Sequence, residues 1–299
     1  MSGNSANPYA VDEARSRAEP TRPAFNRALW AKTARESCAL LVSLVVLLFA
    51  FAWVYVWLIS KIELNALAQF LLGGLKDLER LSGVPFQDVA TPAGRIALAF
   101  IDPLVHLGVI VWAISRGSDA VSGELERGTL EMLLAQPVSR LSIYLSKAVV
   151  AVFGLVLICI ALWGGLAIGI MLIVEDTDRV WPAMYVPPTI NVFGLGFAMA
   201  GVAALVSSLD RYRSRTIGIM GAFYAVAVLL KVIARMAPEW EAVGYASIFW
   251  PFEPQRMIAN NADAWRLLIE YNTPLILVGM LCYVAGAVIF CRRDLPAPL

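Results

Sequence analysis

The chain has 299 residues, of which 59% are hydrophobic and 16% are charged, and its mean hydropathy is +0.70. This composition is too apolar for an ordinary soluble protein and is typical of a protein that lies in the lipid bilayer. The net charge of +1 creates no global field that would attract a nucleic acid, so we expect no nucleic-acid partner.

The amino-terminal region divides into two segments. Residues 1–23 are rich in Ser, Ala, Pro and charged residues, which predicts a disordered cytoplasmic tail. From Ala24 to Glu36 apolar and basic residues alternate at helical spacing, which predicts an amphipathic helix on the inner membrane surface. The alternative is that this segment is the solvated start of the first span.

Six apolar runs are long enough to cross a bilayer as helices. They predict an all-α, polytopic membrane protein with spans at about 38–60, 96–115, 148–174, 189–208, 216–234 and 273–291. Between the first two spans, residues 64–81 carry leucines at helical spacing with charges interleaved. That pattern predicts an amphipathic outer helix that is too charged to span.

The distribution of basic residues predicts the orientation of the chain. If the amino terminus is inside, the inner segments hold 15 of the 24 Lys and Arg residues: Arg15, Arg17, Arg22, Arg27, Lys32, Arg35, Arg116, Arg127, Arg140, Lys147, Arg211, Arg213, Arg215, Arg292 and Arg293. Cytoplasmic segments of membrane proteins carry such an excess. We therefore expect both termini in the cytoplasm and the chain in the inner (plasma) membrane.

Residues 116–147 form a hydrophilic island between the second and third spans. Gly128 and Thr129 predict a helix break, a short leucine-rich helix follows, Pro137 ends it, and Ser139 can cap the next long helix. A short helix with leucines and acids on the inner surface can fill a groove on a partner protein. From the residues alone, the alternative is that these leucines pack against helices of the same chain.

The island also carries a family resemblance. The run from Glu124 to Arg140 reads E-L-E-R-G-T-L-E-M-L-L-A-Q-P-V-S-R, with Lys147 seven residues further on, and closely resembles the signature of ABC-2 type permeases. These proteins are the membrane subunits of ABC exporters. The approach at residues 119–124 and the carboxyl-terminal residues 292–299 are also similar, so the resemblance covers residues 24–299 and leaves out the first 23.

The resemblance implies a six-helix permease domain over residues 24–299, with residues 116–147 as a cytoplasmic coupling loop. It implies a dimer, with a second copy or a sister permease, and a separate ATPase subunit that docks underneath and holds ATP and Mg²⁺. We expect no catalytic site and no cofactor in this chain, which contains no Gly-rich Lys-Ser/Thr phosphate loop. The residues implied in coupling are Glu124, Glu126, Arg127, Gly128, Thr129, Leu130, Glu131, Leu133, Leu134, Pro137 and Arg140.

A few polar residues lie within the spans. Asp102 and His106 are four apart on one helical face and are candidates for an intramembrane cation or proton relay. Alternatively, Asp102 caps a helix that is broken at Pro103, or reaches interfacial water or Arg95. We expect Lys231 and Arg235 to extend toward the membrane surface.

Two other functions remain open from the sequence. One is a membrane anchor or sensor that recruits a cytoplasmic ATPase without transporting anything, and the other is an ion-coupled secondary transporter that uses Asp102. The second predicts inverted internal repeats, which the two halves of the sequence do not show. The single histidine and the scattered cysteines predict no metal site.

Overall fold

The computed structural model describes residues 27–61, 91–134, 138–174 and 180–293. Within these ranges every regular element is helical, and six helical segments are long and apolar enough to cross a membrane. The predicted all-α fold with six spans is confirmed. The predicted tail at residues 1–23 and the predicted outer helix at residues 64–81 lie outside the described residues.

The six spans are longer than the sequence predicts, because each helix continues past its apolar core. They run over Leu29–Lys61, Pro92–Ser118, Arg140–Ile173, Pro182–Leu209, Arg213–Met236 and Asn261–Arg292. The α-helices in chain order are α1 (Arg27–Lys61), α2 (Pro92–Ala97), α3 (Pro103–Ser118), α4 (Ser122–Glu126), α5 (Thr129–Leu134), α6 (Arg140–Ile173), α7 (Val186–Leu209), α8 (Arg213–Met236), α9 (Glu241–Gly244), α10 (Pro254–Ala259) and α11 (Ala264–Arg292).

Helix α1 differs from the expectation of a separate interfacial helix. It runs without a break from Arg27 to Lys61, and no Gly or Pro interrupts this stretch. The side chain of Leu29 is buried in a small cluster with Leu133, Val138 and Ile143. The start of α1 therefore packs against the island of its own chain instead of forming a helix apart on the membrane surface.

Helix α7 is the most buried of the six spans. Its small residues predict close packing, and the structure confirms it: a Cβ atom added at Gly201 would lie 2.5 Å from the carbonyl oxygen of Gly279 in α11. Similarly, a Cβ atom added at Gly165 of α6 would lie 2.4 Å from the carbonyl oxygen of Phe49 in α1. The backbones of α7 and α11, and of α6 and α1, are therefore in contact, whereas α8 is the least buried span.

The two ends of α8 mark the two ends of the molecule. At its start, the backbone N–H of Arg213 donates to Glu126 in α4 (2.8 Å), which places the island at this end. Helix α8 contains 24 residues from Arg213 to Met236 and is about 36 Å long. At the far end the chain folds back, and the buried amide of Asn191 in α7 bonds the carbonyl of Pro251 (3.1 Å) and the N–H of Glu253 (3.1 Å).

Candidate functional site

The island folds as two short helices joined by a tight turn. Helix α4 ends at Glu126, and α5 begins at Thr129. Between them Gly128 adopts a φ of +66°, a left-handed conformation that glycine tolerates without the penalty that other residues incur. The sequence predicts a break at this position, and the structure contains it. After the loop, the Ser139 hydroxyl accepts the N–H of Ser142 (3.1 Å) and caps α6 as predicted.

The ammonium group of Lys147 lies at the centre of an ion cluster beside this turn. Lys147 projects from α6 and contacts the carboxylates of Glu124 (2.6 Å), Asp119 (2.8 Å) and Glu36 (3.5 Å). Glu36 belongs to α1, Glu124 to α4, and Asp119 follows directly after α3. A single lysine therefore joins four parts of the chain.

Three more side chains complete the pairing around Glu124. Arg127 contacts Asp119 (2.9 Å) and Glu124 (3.3 Å), and Lys32 of α1 contacts Glu124 (3.4 Å). The hydroxyl of Thr129, at the start of α5, donates to the same carboxylate. We call the six charged residues the Lys147 cluster: Lys32, Glu36, Asp119, Glu124, Arg127 and Lys147.

The centre of the Lys147 cluster is sealed from solvent. The side chains of Glu124, Asp119 and Lys147 are 0%, 5% and 4% exposed, while the other three members lie at the rim. Three acids face three bases, so the formal charges balance. Buried charges are tolerated when they are paired and hydrogen-bonded in this way, and removal of one partner leaves a costly unpaired charge.

The surroundings of the two buried acids keep both ionised. Burial alone would raise the pKa of Glu124, but the nearby Lys147, the Thr129 hydroxyl and Lys32 together lower it to about 2. The pKa of Asp119 is also lowered, because Lys147 and Arg127 outweigh the effect of its burial. Glu124 and Asp119 are therefore ionised at neutral pH.

The carboxylates of Glu36, Asp119 and Glu124 converge closely enough to suggest a metal site, since their oxygens lie within 4.8 Å of one another. However, the Lys147 ammonium contacts all three carboxylates. It supplies the positive charge that a metal ion would bring. The arrangement is that of a structural ion network.

Among the residues that the sequence nominates for coupling, some are buried and others are exposed. Leu130 and Leu133 are 2% and 8% exposed and pack within the chain, as the alternative interpretation of these leucines holds. In contrast, Glu126, Arg127 and Gly128 are exposed at the turn, and Met132 of α5 is 64% exposed. Within the described part of α5, Met132 is therefore the apolar side chain that is exposed to solvent.

Of the remaining nominated residues, three lie wholly or in part outside the described residues, and Arg140 has an internal partner. The side chains of Glu131 and Leu134 and the whole of Pro137 lie outside the described residues. Arg140 donates a hydrogen bond from its guanidinium to the carbonyl oxygen of Arg293 (2.6 Å). It thereby ties the start of α6 to the end of α11.

A sequence model described as "ABC-2 family transporter protein" matches residues 31–295. The chain belongs to the ABC-2 transporter family. It is a membrane subunit of this family, in which the permease carries no ATPase domain of its own. No curated protein matches the chain.

The permease uses Asp102 as a helix cap. The second span breaks at this residue, and its carboxylate accepts the N–H of Leu104 (2.8 Å) at the start of α3. The ring of His106 lies edge-on to Phe252, with centroids 4.9 Å apart, and near Phe249. The capping bond gives Asp102 a structural role, and the relay with His106 stays a prediction.

Several residues that organise the permease are not apparent from the sequence. Lys32 and Glu36 meet Glu124 and Lys147 across about 90 to 110 positions of the chain, and no local pattern signals such a pairing. The hydroxyl of Ser207 in α7 accepts the N–H groups of Val121 (3.1 Å) and Ser122 (2.9 Å) and so holds α4 in place. In the sequence, the position of Ser207 beside the charged turn at the end of the fourth span is only a weak signal of this role.

Proposed function

We propose that this permease is the transport subunit of an ATP-driven exporter in the inner membrane, with both termini in the cytoplasm. A separate ATPase subunit binds ATP and Mg²⁺ and docks on the island at residues 116–147. A second permease, either the same chain or a sister chain, completes the complex, and the cargo passes at the interface between the two. The family assignment supports an ATPase partner in general terms.

The Lys147 cluster is the observation that carries the proposal. An ATPase that pushes on a loop moves the spans only if the loop is stiff and joined to them. Lys147 joins the island to α1 and α6, and Ser207 joins it to α7. Displacement of α4 therefore acts on three spans at once, which is the property that a coupling element needs.

The exposed residues of the island form the contact surface in this proposal. Met132 supplies an apolar anchor, and Glu126 and Arg127 supply charges at its edge that can pair with the ATPase. Leu130 and Leu133 act from inside, because their packing fixes the position of α5. The sequence predicts that leucines of the island anchor the ATPase. In the present proposal Leu130 and Leu133 instead support α5 from inside the permease, and Met132 is the anchor.

Site-directed crosslinking tests where the ATPase docks. In a variant whose four native cysteines are replaced, Met132→Cys and Tyr245→Cys provide a matched pair, since both wild-type residues are 64% exposed and lie at opposite ends of the molecule. A short bifunctional reagent should join the Met132→Cys variant to a subunit that a photoreactive ATP analogue labels. The Tyr245→Cys variant should give no such product.

The result also bears on orientation. A labelled product from Tyr245→Cys and none from Met132→Cys would place the ATPase at the wrong end and would overturn both the docking site and the predicted topology. No labelled product from either variant, in membranes where the ATPase is present, would overturn the docking site.

A further inference from the structure

A charged pocket lies at the end of the molecule opposite to the Lys147 cluster. Its cavity has a volume of about 260 Å³. The lining residues come from the last turns of α8, from the segment that folds back after it, and from α11, and they include Lys231, Arg235, Glu241, Glu253, Arg256 and Tyr271. We call Lys231, Arg235, Glu253 and Arg256 the Glu253 cluster.

Three basic side chains share one buried carboxylate in this cluster. The Oε1 atom of Glu253 contacts Lys231 (3.1 Å) and Arg235 (2.6 Å), and its Oε2 atom lies 3.7 Å from Arg256. Glu253 is 6% exposed, and the second acid of the lining, Glu241, is exposed. Even when both acids are counted, the pocket retains an excess of one positive charge.

The members of the cluster differ in what they can offer a ligand. The Lys231 ammonium already donates to the carbonyl oxygens of Phe249 and Phe252 and contacts Glu253, so it contributes charge but no spare hydrogen. Arg256 is different, because its side chain is 54% exposed at the mouth of the pocket. One of its N–H groups donates to the Tyr271 hydroxyl (3.2 Å), and a guanidinium has five such hydrogens.

The carboxylate of Glu253 also has unused hydrogen-bonding capacity. Within the described part of the chain, its Oε2 atom accepts no hydrogen bond. This oxygen is itself buried, so a ligand in the pocket does not reach it while Glu253 keeps this position. The pocket thus offers an excess of positive charge and a half-exposed guanidinium.

The pocket lies at a depth that suits a lipid headgroup. Exposed aromatic side chains surround the same end of the fold, with Trp240, Tyr245 and Trp265 at 57%, 64% and 59% exposure. Exposed Trp and Tyr side chains concentrate where the hydrocarbon of a bilayer meets the headgroups. Phosphate groups of lipids lie at this level.

We propose that the Glu253 cluster binds a phosphate group, with Arg256 as the residue that contacts it and Lys231 and Arg235 as the source of the positive field. The phosphate can belong to a lipid headgroup or to a free solute. This inference is independent of where the ATPase docks.

Binding to the purified full-length permease tests the proposal. The probes are a short-chain phosphatidylglycerol and inorganic phosphate, each titrated in neutral detergent with thermophoresis as the readout. Arg256→Gln should weaken the binding of at least one probe about tenfold or more, because a charge-assisted hydrogen bond is lost. Arg266→Gln is the control, since Arg266 is exposed on α11 and lies outside the pocket lining.

The pattern across the two probes identifies the source of the phosphate. Arg256-dependent binding of phosphatidylglycerol supports a lipid, and Arg256-dependent binding of inorganic phosphate supports a solute. Equal affinities of the wild type and Arg256→Gln for both probes would overturn the site. Equal weakening by Arg256→Gln and Arg266→Gln would also overturn it, because general surface charge would then account for the binding.

Discussion

The two ion clusters of this permease contain the same number of bases and differ in almost everything else. The Lys147 cluster matches three bases with three acids, and its central residues are sealed. The Glu253 cluster gives three bases a single buried acid and opens into a pocket. Balanced charges with a sealed centre stiffen the fold, whereas unbalanced and accessible charges retain the capacity to bind a ligand. In our proposals, one end of the molecule serves mechanical coupling and the other binds a ligand.

Loss of the central base should have the largest effect. Lys147→Met leaves two buried carboxylates without their main partner, and we expect a loss of about 3–5 kcal/mol in the free energy of unfolding. Lys32→Met is the control: the side chain of Lys32 is 38% exposed, so the expected loss is below about 1 kcal/mol. Denaturant unfolding in detergent, followed by tryptophan fluorescence, measures both. Similar losses for the two variants would show that the cluster has no sealed centre.

Substitutions within α5 should separate its buried face from its exposed face. Leu130→Ala should cost about 2–5 kcal/mol, because Leu130 is 2% exposed and the truncation leaves a cavity. Met132→Ala should change stability by less than about 0.5 kcal/mol. The same unfolding measurement applies. If Leu130→Ala is as harmless as Met132→Ala, then α5 does not pack as described and its leucines are again available to a partner.

Acid should weaken the Lys147 cluster in a defined pH range. The pKa of Glu124 is about 2 in the folded protein, compared with 4.5 for an unperturbed glutamate. The ionised Glu124 therefore contributes its full stabilisation above about pH 5, and this contribution is lost as the pH falls toward 2. At neutral pH, we expect Glu124→Gln to cost about 1–3 kcal/mol. The difference in unfolding free energy between the wild type and Glu124→Gln should shrink over that acidic range. A difference that already disappears near pH 6 would show that Glu124 is not held ionised.

The smallest effect should come from the rim of the Glu253 cluster. Arg256→Gln removes a half-exposed guanidinium whose carboxylate contact is long, at 3.7 Å, so we expect a stability loss below about 1 kcal/mol. The same unfolding assay without any added ligand measures it. A loss above about 2 kcal/mol would make Arg256 a structural member of the cluster, and the contrast with Lys147 would fail.

Local patterns in the sequence predict most of the fold. Hydropathy locates the six spans, Gly128 marks the break in the island, and Ser139 marks the start of α6. These features depend on neighbouring residues. The continuity of α1 is less evident, because charges near its start suggest a boundary, whereas the absence of Gly and Pro allows the helix to run through.

The candidate site depends on contacts that the sequence does not reveal. Glu124 and Arg127 resemble surface charges when read along the chain, and only folding brings Lys147 and Glu36 beside Glu124. The same holds for Lys231, which the sequence suggests as a side chain that extends to the membrane surface. In the structure it pairs with Glu253, 22 residues further on, and bonds two backbone carbonyls.

The docking of the ATPase on the exposed face of the island is the central claim. Met132→Asp changes an exposed side chain and should leave the unfolding transition of the permease unchanged, as should Tyr245→Asp at the opposite end of the molecule, where Tyr245 is equally exposed. The most direct measurement is the amount of ATP-photolabelled subunit that co-purifies with each variant. The account predicts that Met132→Asp loses most of this subunit and that Tyr245→Asp retains it. Full retention by Met132→Asp would contradict the account.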